Sequence, residues 1–523
     1  MILAIIFLVL FAVCAGLSIF FTVSLVKTPI VGINYKRELL KPGLAVIGAT
    51  ISFLVASFDF YMWLGAKPDA AHVIQLVIGA ILFVGPLFVA INCFILHYYG
   101  KNIPEALDKW LFRIQLIGFV VATVFFFIWT NGLAPYLTYP LVNGISFTQG
   151  FVTPEKGHPN IAFYAICILS GAILVYFVCD HYMYKEYGEH GILESTFFVA
   201  FPAGIIGARI AYVIGNWAKE FDYGRAMTTM SLFGNDVKVW APLAIWEGGI
   251  TILGGAVGGI VVGVLWYLWR NKGKSIWVVF DIVLPTILIA QAIGRWGNFF
   301  NCEVHGLASN VDNWKWLPEI IWRNGQYSST SPDLRLTDQM YVPLFFIEAI
   351  VNLFGYFVLG HVFGKALRKY TELGDVGFGY IIWYGLTRVF MEPLRDSSFQ
   401  MGEKGYWSWI WSLIFVAVGS LLIAANHIVR HIIRKKQDKY VVKKNDMRNS
   451  LIGLAAVVVA SAALIVVGAV LMTSNPFVAV VAYNSFNVGT MLLVIGASLF
   501  AAGLAVTLPT MFEAIKENGR KHA

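Results

Sequence analysis

Residues 275–306 read SIWVVFDIVLPTILIAQAIGRWGNFFNCEVHG. From Ile276 onward the run is mostly apolar, and it has the length of about 20 residues that an α-helix needs to cross a hydrocarbon core. It closes on Arg295, Asn298, Asn301 and Glu303. Lipid rewards none of these side chains, so the end of this helix is equipped for polar partners. Apolar runs of similar length recur along the whole chain. In lipid, backbone groups must be satisfied within the segment, which helices do. The stretch is thus one span of an all-α polytopic membrane protein.

Composition agrees. Of 523 residues 58% are hydrophobic and 13% charged, with a mean hydropathy of +0.71, whereas soluble domains carry about a quarter charged residues. The net charge of +8 matters through its placement in loops, so the partner it implies is a bilayer and no nucleic acid is expected. Cys14, Cys93, Cys167, Cys179 and Cys302 lack CxxC or Cys/His spacing. They read as small core residues, with no disulfide framework and no metal site. FAVCAG around Cys14 is a poor lipobox because Val13 stands where a small residue is wanted, and a lipid-facing cysteine is expected there.

Thirteen spans are expected, at about 1–26, 43–65, 71–98, 110–133, 159–180, 193–217, 243–269, 276–297, 341–364, 376–393, 406–428, 449–472 and 488–511. The first is too long for a cleaved signal and reads as an anchor. Basic residues follow every odd-numbered span: Lys36 and Arg37, Lys101, Lys185, Arg270, Arg368, the cluster Arg430–Arg448 and finally Lys516–Lys521. By the positive-inside rule the N-terminus is outside and the C-terminus cytoplasmic. The motif end at 298–340 then faces outward, as do loops 218–242 and 394–405.

Texture divides the chain. A four-helix extension (1–133) leads through a Pro/Gly/aromatic linker (134–158) to a central part (159–428). A basic cytoplasmic linker (429–448) then leads to a two-helix extension (449–523). The central part holds the ionisable residues at membrane depth: Arg209, Glu247, Arg295, Glu303, Glu348, Arg388, Glu392 and Arg395. A charge at the bilayer centre costs about 3 kcal/mol on insertion scales, so such groups face a cavity or one another. Arg388, Glu392 and Arg395 are spaced i, i+4, i+7 and share one helical face. A structural ion-pair network and an anion site both fit this pattern. Arginines without matching acid favour phosphate, whose oxygens a guanidinium binds in bidentate fashion. The pairs Gly248–Gly249, Gly254–Gly255 and Gly258–Gly259 imply close helix packing, with a thinned face for a lipid tail as the alternative.

GRWGNFFNCEVHG resembles the signature G-R-x-G-N-F-x-N-x-E-x-x-G of the prolipoprotein diacylglyceryl transferase family. It matches at Gly294, Arg295, Gly297, Asn298, Phe299, Asn301, Glu303 and Gly306. DIVLPTILIAQAI before it, FYAICILSG with Tyr164, GARIAYV with Arg209, IWEGGI, VPLFFIE with Glu348 and YGLTRVFMEPLR follow the family's order. The resemblance covers about 158–428 and implies a seven-helix core in a bacterial plasma membrane, with its active site towards the outer face. The implied reaction moves diacylglyceryl from phosphatidylglycerol to the lipobox cysteine of a prolipoprotein signal peptide, leaving glycerol phosphate, without cofactor or metal. It further implies that Arg295 and Arg388 hold the phosphate, with Asn298 and Glu303 beside them. Tyr164, Arg209, Asn301, Gly306, Glu348, Glu392, Arg395, Gly254 and Gly255 would shape the substrate site.

Two departures stand out. Leu253 occupies a position where many members have histidine, and Ala162 and Ala165 flank Tyr164 in place of Arg and Gly. Leucine cannot take a proton, which leaves His305 as a candidate base; a wet loop histidine is the expectation for it. A catalytically degenerate homologue remains the alternative. A transporter would show repeats or paired broken helices, and a CDP-alcohol-type phosphatidyltransferase would show clustered aspartates; neither pattern is present.

Overall fold

A computed structural model describes residues 2–27, 38–63, 70–100, 103–137, 163–217, 227–232, 235–244, 251–317, 319–328, 336–368, 370–399, 406–436, 447–474 and 483–522. It divides into two compact units, Met1–Lys272 and Gly273–Ala523.

The first unit opens with four helices, α1 (Ile2–Lys27), α2 (Leu40–Trp63), α3 (Ala70–Tyr99) and α4 (Glu105–Leu137). Lipid tails are as apolar as leucine, so burial alone does not join these helices; packing and interhelical hydrogen bonds do. Asn92 Nδ2 donates to Ser18 Oγ at 2.6 Å and Trp129 Nε1 to Ser57 Oγ at 3.2 Å, while Tyr61, Leu76, Ala80 and Trp129 form one buried cluster. Cys14 packs against Gly48, whose added Cβ would meet its Sγ at 3.0 Å. The lipid-facing expectation for Cys14 is corrected by that contact.

Next come α5 (Phe163–Tyr187) and α6 (Glu194–Asn216), then a hairpin of β1 (Met227–Leu232) and β2 (Asn235–Trp240), then α7 (Ile252–Arg270). Asp180 accepts from the Gly191 backbone N–H at 2.8 Å and pairs with His190 Nδ1 at 2.6 Å, closing the turn between α5 and α6. In the span expected from 243, the described α-helix is Ile252–Arg270, capped by Thr251, and a 3-10 turn lies at Ala241–Leu243. Glu247, Gly248 and Gly249 lie outside the described residues.

The glycine pairs are a packing device. A Cβ on Gly207 of α6 would lie 2.6 Å from the Gly254 carbonyl oxygen, and one on Gly258 would lie 2.8 Å from that of Ala203. No side chain fits between backbones this close. Gly207→Ala should therefore lower the melting midpoint and folded yield of the detergent-purified chain. Gly16→Ala, where nothing lies within 4 Å, should leave both unchanged or slightly improved. Equal melting of the two variants would sink this reading.

The second unit carries α8 (Ile276–Asn301), a small subdomain, α10, α11 and α12, and a final helix pair. The subdomain pairs β3 (Ala308–Asn310) with β4 (Gln339–Tyr341) around the short α9 (Glu319–Asn324). Helix α10 (Leu344–Phe357) continues as a π-type segment (Val358–Ala366), and α11 (Asp375–Met391), α12 (Tyr406–Lys436), α13 (Met447–Thr473) and α14 (Ser485–His522) follow. The two small antiparallel strand pairs are additions to the expected all-helical plan.

Asp281, the acidic residue of DIVLP, accepts from the backbone N–H groups of Gly374 and Gly377 at 2.9 and 3.0 Å. A carboxylate at a helix N-terminus satisfies orphan donors and suits the helix dipole, so α11 is hung on α8. Gln291 donates to the Tyr380 hydroxyl at 3.0 Å, and Gly385 lets α11 approach α12, its Cβ position being 2.7 Å from the Ser412 carbonyl oxygen.

Each of the thirteen expected stretches contains a helix. Among the described residues eleven helices are long and apolar enough to cross a membrane. Gly254–Arg270 falls among the shorter apolar helices, and α11 has 17 residues, about 26 Å at 1.5 Å per residue.

Candidate active site

Helix α8 runs four residues further than expected, to Asn301, so Asn298 and Asn301 are helical rather than in the loop that follows. A Schellman ending stops it: Glu303 N–H donates to the Asn298 carbonyl at 3.1 Å and Cys302 N–H to that of Phe299 at 3.2 Å. The left-handed position that glycine usually takes is held by Cys302, with φ 49°, and Val304 follows at φ 56°. A left-handed L-residue costs roughly 1–2 kcal/mol, most for a β-branched one. Tertiary contacts hold the turn. Cys302 Sγ donates to Asn324 Oδ1 at 3.2 Å, and Asn324 Nδ2 donates to the Phe299 carbonyl at 2.8 Å. Burial pushes the Cys302 thiol up to about 12, so it stays protonated and structural.

The strained turn sends Glu303 back towards the helix end. Its Oε1 accepts from Asn298 Nδ2 at 3.1 Å and from Asn301 Nδ2 at 3.2 Å, while Asn298 Oδ1 accepts from Arg295 Nη1 at 3.4 Å. One hydrogen-bonded chain thereby links the polar residues of the motif.

Glu348, on α10, gathers the arginines. It pairs with Arg295 Nε, with Arg395 Nη2 at 3.3 Å and, at 4.0 Å, with Arg388 Nη1. Arg388 Nη2 also reaches Glu392 at 2.7 Å and donates to Ser408 Oγ at 3.2 Å. Arg388, Glu392 and Arg395 do converge, but not on one continuous helix. Helix α11 ends at Met391, and a 3-10 turn follows at Glu392–Leu394, where Pro393 has no N–H to continue the ladder. Gly306 completes the arrangement by bridging Arg395, with space for no side chain: its Cβ position is 2.8 Å from the Leu394 carbonyl oxygen.

Exposure separates two layers. The side chains of Glu348 and Glu392 are 2% and 0% exposed, whereas those of Arg295 and Arg388 are 21% and 12% exposed. Three guanidinium groups share two buried carboxylates, leaving one positive charge, and two of the three keep an open side. Glu348 is a buried counter-ion shared by the three arginines. The structural ion network expected from the sequence pattern is present, and its members Arg295 and Arg388 are part-exposed.

His305 is not a wet loop residue. It is 8% exposed, stacks on Tyr341 at 3.8 Å and meets Phe399 edge-on. Nδ1–H donates to the Gly306 carbonyl at 3.1 Å, so Nε2 accepts from the Ser328 hydroxyl at 2.7 Å. The sequence around His305 cannot reveal Ser328, which arrives from beyond α9. Burial lowers its pKa below the ordinary value of 6.5. The neutral ring thus stabilises the fold fully above about pH 6.5, and that share is lost as pH falls through the folded-state pKa. Acid unfolding of wild type should therefore begin below about pH 6.5, and His305→Gln should lack that component while keeping turnover within about tenfold, below the range of a lost general base. An unmoved acid limb, or a far larger activity loss with an altered pH–rate profile, would give the ring another role.

In the first unit, Arg209 donates from Nε to the Pro242 carbonyl at 2.9 Å and from Nη2 to that of Ala241 at 2.8 Å. These bonds fix the turn ahead of α7. Tyr164 is half-buried on α5, Leu253 stands in the first turn of α7, and Gly254 and Gly255 form the close contact with α6. Ser408, Asn324 and Ser328 had no sequence signal; each is an ordinary polar residue until the fold brings it to a motif residue. Among the described residues no group of three or more His, Cys, Asp or Glu side chains could hold a metal ion.

A family model described as prolipoprotein diacylglyceryl transferase matches residues 154–425. The chain is 33% identical over 276 residues to the phosphatidylglycerol–prolipoprotein diacylglyceryl transferase of Streptococcus suis (strain 05ZYH33), covering 51% of this chain and 89% of that relative. It is 33% identical over 299 residues to the protein of the same description from Streptococcus pneumoniae (strain Taiwan19F-14), covering 56% and 97%. The corresponding protein of Streptococcus agalactiae serotype III (strain NEM316) is 34% identical over 283 residues, covering 54% and 97%.

Proposed function

The chain belongs to the prolipoprotein diacylglyceryl transferase family, and from that premise we propose that it transfers the diacylglyceryl group of phosphatidylglycerol to the lipobox cysteine of prolipoproteins. The observation that carries this reading is the pair of part-exposed guanidinium groups, Arg295 and Arg388, backed by buried carboxylates. The cysteine sulfur attacks the glyceryl carbon, the carbon–oxygen bond to phosphate breaks, and a thioether forms. Glycerol phosphate leaves with the electron pair of that bond, and the thiol proton is accounted for on the departing phosphate or in water. An ordinary thiol has a pKa of about 8.5, so the positive field of the two arginines favours the thiolate as well as the leaving anion. Neither Leu253 nor the fully engaged ring of His305 is needed as the base in this scheme.

Asn298, Asn301 and Glu303 border the headgroup, while Glu348, Glu392, Arg395 and Gly306 hold the arginines in register. Tyr164, Arg209, Gly254 and Gly255 are assigned to substrate binding by the family resemblance alone. The protein sits in a bacterial plasma membrane with thirteen spans, N-terminus outside, C-terminus cytoplasmic and the site towards the outer face. The core is 159–428, flanked by the four-helix and two-helix extensions.

Membranes carrying the full chain, incubated with labelled phosphatidylglycerol and a lipobox peptide, should place label on the peptide cysteine, and EDTA should leave the rate unchanged. A folded preparation that binds phosphatidylglycerol yet never labels the peptide would identify a degenerate homologue, and strong EDTA inhibition would require a metal.

A further inference from the structure

Helices α13 and α14 lie beyond the family match, which ends at residue 425, yet α14 packs against α12 and contributes to a buried cluster that includes the arginine-bearing helix. Val389, the neighbour of Arg388, is fully buried in one cluster with Trp409, Leu413 and Met491, the last contributed by α14. The start of α14 is fixed by its own cap, Asn484 Oδ1 accepting from the Asn487 N–H at 2.8 Å. Just before it, the Tyr483 hydroxyl donates to the Phe390 carbonyl. That carbonyl belongs to the last turn of α11, whose acceptors have no partner within the helix. Arg388 itself is held by Ser408 of α12, and Ser408 precedes Trp409 of the same cluster. The turn carrying Arg388 is therefore gripped by α12 and by the C-terminal extension together.

We propose that the C-terminal extension is a positioning element of the transfer site: Tyr483 and Met491 hold the last turn of α11, and with it the Arg388 guanidinium that receives the departing phosphate. The inference rests on the transferase reading above. Its physical basis is that a guanidinium fork stabilises a leaving phosphate only in register, and an ångström of misplacement can cost about a hundredfold.

The test uses the full-length protein. Met491→Ala should lower kcat per folded molecule by about five- to twentyfold with little change in KM, the signature of an interaction expressed in the transition state. Met491→Leu, which refills the volume, should restore it, and Tyr483→Phe should lose a smaller factor in the same parameter. Val459→Ala, on the exposed face of α13, should change nothing. A second readout does not depend on catalysis. A thiol introduced by Ser408→Cys stands beside Arg388, so its alkylation, followed at that position by mass spectrometry, should titrate below the ordinary value of about 8.5. Adding Met491→Ala should return that titration towards the ordinary value. Wild-type kcat in both Met491→Ala and Tyr483→Phe would overturn the proposal, as would an alkylation profile that Met491→Ala leaves unmoved. If wild type itself transfers nothing, the transferase reading fails, and the alkylation profile still decides whether the extension places Arg388.

Discussion

Arg388→Lys should reduce transfer to the lipobox peptide by about 10²–10³-fold, the range seen when one preorganised donor to a developing oxyanion is lost, in a protein that still folds. Lysine keeps the charge, so Glu392 is not stranded. It cannot keep the geometry. The guanidinium of Arg388 meets Glu392 at 2.7 Å, Ser408 at 3.2 Å and Glu348 at 4.0 Å and still has an open side. A single ammonium on a flexible stem must choose among those partners. Arg295→Lys should fall in the same range, because its Nε is committed to Glu348 and its Nη1 to Asn298. Arg209→Lys should cost less, its bonds to the carbonyls of residues 241 and 242 being scaffolding. Initial rates of all three, at saturating phosphatidylglycerol, check the ranking. Should Arg209→Lys prove the most damaging, the phosphate site is misplaced.

Glu348→Gln should have the largest effect on stability. Its carboxylate faces three guanidinium groups and is almost fully buried. Removing one partner from a buried ionic group leaves uncompensated charge and costs about 3–5 kcal/mol. The melting midpoint of the detergent-purified protein should drop sharply, and transfer should be lost with it. Because the penalty is excess positive charge, Arg395→Gln added to Glu348→Gln should recover part of the stability, a coupling between residues in one network. Activity should not return, since Arg295 would still lack its anchor. A Glu348→Gln protein that melts like wild type would mean that Glu348 is not the shared counter-ion.

Much of this was legible in the chain alone. Helices are found in every stretch where apolar runs of about 20 residues demanded them, because span length and backbone satisfaction are local constraints. The signature residues Arg295, Asn298, Asn301 and Glu303 were legible too, since they are polar where lipid penalises polarity. The errors came where distant atoms decide. The end of α8 moved from residue 297 to Asn301 because Asn324 and the Cys302 turn hold the ending there. His305 changed from wet to buried because Tyr341, Ser328 and Phe399 close over it.

The sequence by itself determined the class of the molecule, the order of its helices and the inventory of charges at membrane depth, since hydropathy and spacing are properties of neighbours along the chain. Only the tertiary structure decided how those charges are shared. Glu348 and Arg395 lie 47 positions apart, and no local pattern says that one carboxylate will serve three arginines, or that Met491 will share a buried cluster with Val389. Buried charges must find partners and buried backbones must find contact, but which partners they find depends on which helix faces meet.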